Sequence, residues 1–163
     1  MTIVAIDPSV RNIGFARLVD TKLATTTLKV KPDEDKIKQL KRACLAIRVA
    51  LDIHVKEQPL IISEYPSFQN SMRGKIAATS GDTLGLAAIC GYLIGTKSDI
   101  LLPTPMQWKG TVPKEVTGHR FTQWTGKDYR ELTDHEVDAA MMIHWALSQA
   151  YPSTPQRVTW QPL

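Results

Sequence analysis

Asp7, Glu64, His135 and Asp138 each stand where an apolar run meets a polar boundary. Asp7 ends Ile3-Val4-Ala5-Ile6, Glu64 ends Leu60-Ile61-Ile62-Ser63, and His135 and Asp138 open an apolar helical segment. Short apolar runs of this kind read as central strands, and an acid at the last residue suits a site at the sheet edge better than a core position. Three carboxylates converging there repel one another and imply a cation. Hard oxygen donors select Mg²⁺ or Mn²⁺, and the most economical chemistry for such a site is metal-assisted cleavage of a phosphodiester. A pair of divalent ions ~4 Å apart would serve the attacking water and the leaving 3′ oxygen, with Asp7 as the bridging ligand and Glu64 beside it. His135 and Asp138 are spaced i, i+3 and share a helix face. Asp134 competes at i, i+4 from Asp138, although its place at the helix start suits its charge to the helix dipole.

The elements that must position these groups follow from periodicity. Strands are expected at about residues 2–7, 14–20 and 23–30, joined by short turns as an antiparallel meander. From residue 33 to 57, Ile37, Leu40, Cys44, Ile47, Leu51 and Val55 recur at threes and fours, the pattern of an amphipathic helix. Residues 60–64 then form a strand parallel to the first. Ser80 is a candidate N-cap for a helix to Ile94 or Gly95, which carries Gly85, Ala87, Ala88 and Gly91 and so admits close approach of another element. A fifth strand is expected at 100–102. A helix from Pro113 to Trp124 or Thr125 is stopped by Gly126. Thr133 and Glu136 have capping-box spacing for the last helix, which gives Glu136 a structural role. After Ala150 the tail Tyr151-Pro152-Ser153-Thr154-Pro155 cannot continue a helix and is expected to lie along the surface.

The 163 residues fit a single domain, 1–163, with a real core, and 43% hydrophobic against 22% charged residues is ordinary for a globular protein. The longest apolar stretch, residues 84–94, is broken by Gly85 and Gly91, and no basic n-region opens the chain, so neither a membrane span nor a secretory signal is expected. Cys44 and Cys90 lie within helical patterns without a partner at metal spacing, which fits buried thiols in a reduced, cytoplasmic context. The net charge is +4; because at least three acids belong to the metal site, the remaining surface is more basic than that figure.

The segment Ile6-Asp7-Pro8-Ser9-Val10-Arg11-Asn12-Ile13-Gly14-Phe15-Ala16 resembles the first hairpin of the RuvC-type Holliday junction resolvases. Ile61-Ile62-Ser63-Glu64 is similar to the strand carrying that family's catalytic Glu, and His135-Glu136-Val137-Asp138-Ala139-Ala140 to its closing helix, where Asp or His stands three residues before the last Asp. Trp108-Lys109-Gly110-Thr111-Val112-Pro113-Lys114 is similar to its lysine-bearing segment. The resemblance runs in order from Ile3 to about Tyr151. It implies a ribonuclease H-like α/β fold, with a mixed five-stranded sheet and helices on both faces. It further implies a homodimer packed through the small-residue helix, and Mg²⁺-dependent paired cuts in four-way DNA junctions, with Mn²⁺ as a substitute. Lys109 and Lys114 are then expected near the scissile phosphate. Ser9, where the family usually has Gly, and the short C-terminus suggest a phage or mobile-element member acting in host cytoplasm.

The segment 65–79 has little hydrophobic periodicity, and long loops beside catalytic residues usually carry function. Arg73 and Lys75 can neutralise phosphates, and Asn70 and Ser71 can donate to them. Phe68 can stack on an unpaired base, a contact worth ~1–3 kcal/mol; Tyr65 is an alternative, as is a structural lid in which Phe68 caps the core. A broader branched- or flap-DNA nuclease is the main rival function. The hairpin at Asp7 faintly resembles the phosphate loop of actin-like ATPases, which need two such domains, and an inactive junction-binding module is disfavoured by the intact acids.

Overall fold

The structure, a computed structural model, describes residues 1–66, 82–96, 98–152 and 157–163. Strands β1 (Thr2–Asp7), β2 (Asn12–Val19) and β3 (Lys22–Lys29) form the expected meander. They are followed by α1 (Lys36–His54), β4 (Leu60–Ser63), α2 (Asp82–Ile94) and β5 (Asp99–Leu101). A short helix α3 (Pro105–Trp108), then α4 (Lys114–Thr125), α5 (Asp134–Ala150) and β6 (Thr159–Pro162) follow. The sheet order is β5-β4-β1-β2-β3-β6, with β1 parallel to β4 and antiparallel to β2.

Strand alternation divides the core. Ile3 and Ala5 pack with α4 and α5 on one face, whereas Val4 and Ile6 pack with α1 and α2 on the other. Side chains of period two therefore send Asp7 to the α5 face, in line with Ile3 and Ala5. On β4 the same rule groups Glu64 with Ile62, which lies in the α5-side cluster. The parallel register pairs Ile6 with Ser63, so Asp7 and Glu64 stand one residue beyond the last rung of adjacent strands.

Among the described residues the sheet has six strands rather than five. The prolines of the tail argue against a strand, yet Thr159–Pro162 docks in parallel register on the free edge of β3, Lys22 to Thr159 through Thr25 to Pro162. Pro162 is tolerated because this is an edge. Trp160 Nε1 donates to Thr25 Oγ1 at 2.9 Å, and Val158 is buried. Residues 159–162 are thus part of the sheet; of the segment 151–155 expected along the surface, Tyr151 and Pro152 are exposed and the rest lies outside the described residues.

The buried stripe of α1 is also displaced from the expected one. Gln39, Ala43, Ile47 and Ala50 lie deepest, Leu40, Cys44, Leu51 and Val55 flank them, and Ile37 is 67% exposed. Two of the deepest four, Ala43 and Ala50, are small, which lets the helix axis approach the sheet. Gln39 is buried without penalty, since its Oε1 accepts from the Asp33 amide and its Nε2 donates to the Val10 carbonyl. That second bond ties α1 to the loop following Asp7. Cys90 is buried, while Cys44 is only half-buried. Among the described residues no helix is long and apolar enough to cross a membrane.

Candidate active site

The start of α5 is seated on the sheet by a row of three residues. Asp7 of β1 lies opposite Gly14 of β2, which lies opposite Thr27 of β3. Above Gly14 is the backbone of His135, so close that a Cβ on Gly14 would stand 2.0 Å from the His135 carbonyl oxygen and 2.5 Å from its carbon. Thr27 Oγ1 is 2.6 Å from Thr133 Oγ1 and donates to Glu136 at 3.3 Å. Thr25 Oγ1 donates to the other Glu136 oxygen at 3.4 Å. The expected capping box is present: the Glu136 carboxylate accepts from the Thr133 amide at 3.0 Å and Thr133 Oγ1 accepts from the Glu136 amide at 3.2 Å. Glu136 therefore caps the helix and fastens it to β3, which fixes where His135 and Asp138 project.

This makes Gly14 a residue that assembles the site. Gly14→Ala is expected to destabilise the protein by about 1–3 kcal/mol or more, because the clash is with backbone that cannot rotate away. A lower urea midpoint checks it; an unchanged midpoint would mean that α5 does not sit this close.

Asp7, Glu64, His135, Asp138 and Lys109 are brought together. His135 Nδ1 is 2.6 Å from Asp7 Oδ2. Lys109 Nζ donates to both Asp138 oxygens, at 3.0 and 2.8 Å, with both side chains about four-fifths buried. Trp108 Nε1 donates to Glu64 Oε2 at 2.8 Å, and the Lys109 ammonium lies 5.1 Å from the Trp108 ring centroid. The chain after Glu64 is held toward α3 by the Tyr65 amide, which donates to the Pro103 carbonyl at 2.8 Å.

The charges act on one another. Burial raises the Asp7 carboxyl above its usual range against the lowering influence of His135, and Asp138 adds repulsion. Glu64 is pushed up to about 7, chiefly by burial, with Asp7 and Asp138 adding to it and Trp108 and Lys109 opposing. His135 is raised above 6.5 by its hydrogen bond to Asp7. Three carboxylates facing one ammonium leave an excess of negative charge in a poorly hydrated place, which suits a hard dication by donor type and charge. The side chains are nonetheless held by internal partners: among the described residues no group of three or more His, Cys, Asp or Glu is gathered closely enough to grip an ion. Metal binding would displace Lys109 from Asp138. In a neutral His135 whose Nδ1–H donates to Asp7, Nε2 keeps its lone pair for a ligand.

Lys114 and Asp134 stand apart from this group. They pair with each other at 2.6 Å and are 62% and 71% exposed, so Asp134 is engaged at the rim, and the pair holds the Asp134 carboxyl below its usual range. Phe68, Asn70, Ser71, Arg73 and Lys75, like Ser80, lie outside the described residues; Tyr65 is exposed. Trp108, which the sequence offers only as part of the lysine-bearing segment, proves to be the hydrogen-bond partner of Glu64. Its place beside Lys109 was the available signal. On α2, Gly85 closes on Val10, its would-be Cβ 3.1 Å from Cγ1, rather than facing outward; the outward face carries Leu84, Ala87, Ala88, Gly91 and Ile94.

No protein-family profile and no curated protein matches the sequence. The fold is shared with solved structures. The chain superposes on T. thermophilus RuvC in complex with a Holliday junction substrate with a TM-score of 0.63 and 18% identity, covering 93% of this chain and 97% of that one. For a second Thermus thermophilus RuvC structure the TM-score is 0.63 at 17% identity, with coverage of 94% and 98%. The resemblance read from short motifs thus extends to the whole architecture, and the ribonuclease H-like fold is borne out.

Proposed function

We propose that the chain is a divalent-metal-dependent endonuclease that resolves four-way DNA junctions. The observation that carries this is the convergence of three carboxylates, Asp7, Glu64 and Asp138, around Lys109 at one end of a RuvC-like sheet. Asp7, Glu64, Asp138 and His135 would hold Mg²⁺ or Mn²⁺, a pair of ions in the full site, which would supply a nucleophilic water and charge stabilisation at the phosphate. The chain's own residues do the rest. Glu136, Thr25 and Thr27 hold the α5 start in place, Asp7 fixes the His135 ring, Trp108 orients Glu64, and Lys109 leaves Asp138 to meet the phosphate anion. Lys114 at the rim, together with Asn70, Ser71, Arg73 and Lys75 of the segment after Glu64, is assigned to phosphate contacts, and Phe68 to stacking at the crossover.

A four-way junction with two-fold symmetry is best cut by a two-fold enzyme, and the exposed apolar face of α2 is the candidate dimer surface. The test of the function is cleavage of a synthetic four-way junction beside a flap, a duplex and an RNA–DNA hybrid, with and without Mg²⁺. Metal-dependent paired cuts in the junction alone are expected; equal cutting of the flap would widen the specificity, and no cutting of any branched DNA would overturn the assignment.

The pH profile gives a further check. His135 must be deprotonated to ligate, and its hydrogen bond to Asp7 favours the protonated ring, so the acid limb of cleavage is expected above pH 6.5 rather than below it. His135→Asp should move that limb downward and shift preference from Mn²⁺ toward Mg²⁺. A limb that stays in place in His135→Asp would assign it to Glu64 instead.

A further inference from the structure

A pocket of about 240 Å³ adjoins the carboxylates, walled by Trp108, Lys109, Arg120, His144, Trp145 and Ser148. Its floor continues the face that bears Asp138: Met141, Trp145 and Ser148 follow it on α5 at three, four and three residues. Trp145 is thus ~10 Å along the helix axis from Asp138. The pocket also shares two residues with the site itself, since Trp108 holds Glu64 and Lys109 holds Asp138.

The lining is chemically selective. Among the described residues no acid lines it, and the exposed Arg120 supplies positive charge beside the Lys109 ammonium that is paired with Asp138. Among the described residues Arg120 forms no ion pair. Trp145 is half-buried, packed against the α5-side core. The His144 ring is fixed edge-on against Trp124, with centroids 5.0 Å apart at 72°. Burial and Arg120 lower its pKa, so it is neutral at pH 7 and offers one donor and one acceptor nitrogen. The volume falls below the ~300–1,000 Å³ of drug-sized sites, which suits one flat ring system rather than two.

We propose that this pocket receives one unpaired nucleobase of the strand being cut, stacked on Trp145 with its phosphate on Arg120, and that it sets the base preference around the cut. The proposal rests on the nuclease reading above. Aromatic stacking alone tolerates any base, whereas the His144 nitrogens and the Ser148 hydroxyl at the pocket wall can discriminate between base edges.

The experiment has two arms. In the first, a library of four-way junctions randomised about the cut is cleaved by the parent, Trp145→Ala, Trp145→Phe, Arg120→Gln and His144→Ala. The parent should show a preference at one position, and an abasic residue there should slow it roughly 5- to 100-fold. Trp145→Ala should lose that response and Trp145→Phe keep it, which separates lost stacking from a damaged core. His144→Ala should flatten the preference, and Arg120→Gln should weaken junction binding and reduce its salt dependence. In the second arm, 2-aminopurine at that position is followed by fluorescence without cleavage, in Asp7→Asn protein: quenching is expected with Trp145 present and not with Ala. Normal cleavage with identical profiles in the parent, Arg120→Gln and Trp145→Ala overturns the pocket and leaves the nuclease reading standing. Failure to cut or bind any branched DNA overturns both.

Discussion

Asp7→Asn is expected to abolish junction cleavage while leaving junction binding intact or slightly tighter. Asp7 sits at the end of the central strand with its side chain only 16% exposed, and it is the acid that both strand alternation and the His135 contact place at the centre of the group. Asparagine has the same shape and keeps an oxygen facing the imidazole, so the fold should not suffer. Burial already makes the ionised carboxyl unfavourable in the metal-free protein, so removing the charge should if anything raise stability. What is lost is an anionic donor in the site itself. Removing an outer partner of a metal ligand typically costs ~10–100-fold, and removing the ligand should exceed that. Single-turnover cleavage in Mg²⁺, paired with a gel-shift titration in metal-free buffer, measures the two effects separately. Near-normal turnover of Asp7→Asn would remove the site from the proposal.

The acids were legible in the sequence because their signal is local. A carboxylate closing a four-residue apolar run has few roles in a core, and the alternation that buries Val4 and Ile6 on one face dictates where Asp7 goes. The capping box at Thr133 and Glu136, the start of α5 at Asp134 and the left-handed stop at Gly126, φ 75°, are equally local, and each stands where its residue types place it. What could not be read depends on register between distant segments. Nothing near Gly14 says that a helix start 121 residues later rests on it (135 − 14). Thr25 and Thr27 acquire meaning only when β3 is laid beside β2 and Glu136 is set above them. The edge strand β6 is short and ends in proline, so its propensity argued against what pairing and the burial of Val158 achieve. On α1, periodicity found the helix but gave too much weight to Ile37; Ala43 and Ala50 lie deeper because being small permits a closer approach.

The second large effect links the site to stability. Glu64→Gln is expected to stabilise the metal-free protein at alkaline pH, an outcome opposite to that for most substitutions at buried positions. The folded-state value of Glu64 is about 7 against 4.5 for the free carboxyl, with burial the main cause. A carboxyl raised in this way contributes stability that is fully present below pH 4.5 and is lost as pH rises through about 7. Once it is ionised, the penalty is about 3 kcal/mol. Glutamine carries no such charge, and its carbonyl can still accept from Trp108 Nε1, so the variant escapes the penalty without losing the bond. Urea unfolding should therefore give similar stabilities for parent and variant near pH 4.5, and a variant more stable by up to about 3 kcal/mol at pH 8.5. Adding Mn²⁺ should narrow or reverse that difference at pH 8.5, because the ion rewards the ionised carboxylate of the parent and finds a poorer ligand in Gln. Equal stabilities at both pH values would show that Glu64 is well solvated in the folded protein. A pH effect without any metal effect would leave Glu64 buried and charged for a reason other than binding a cation.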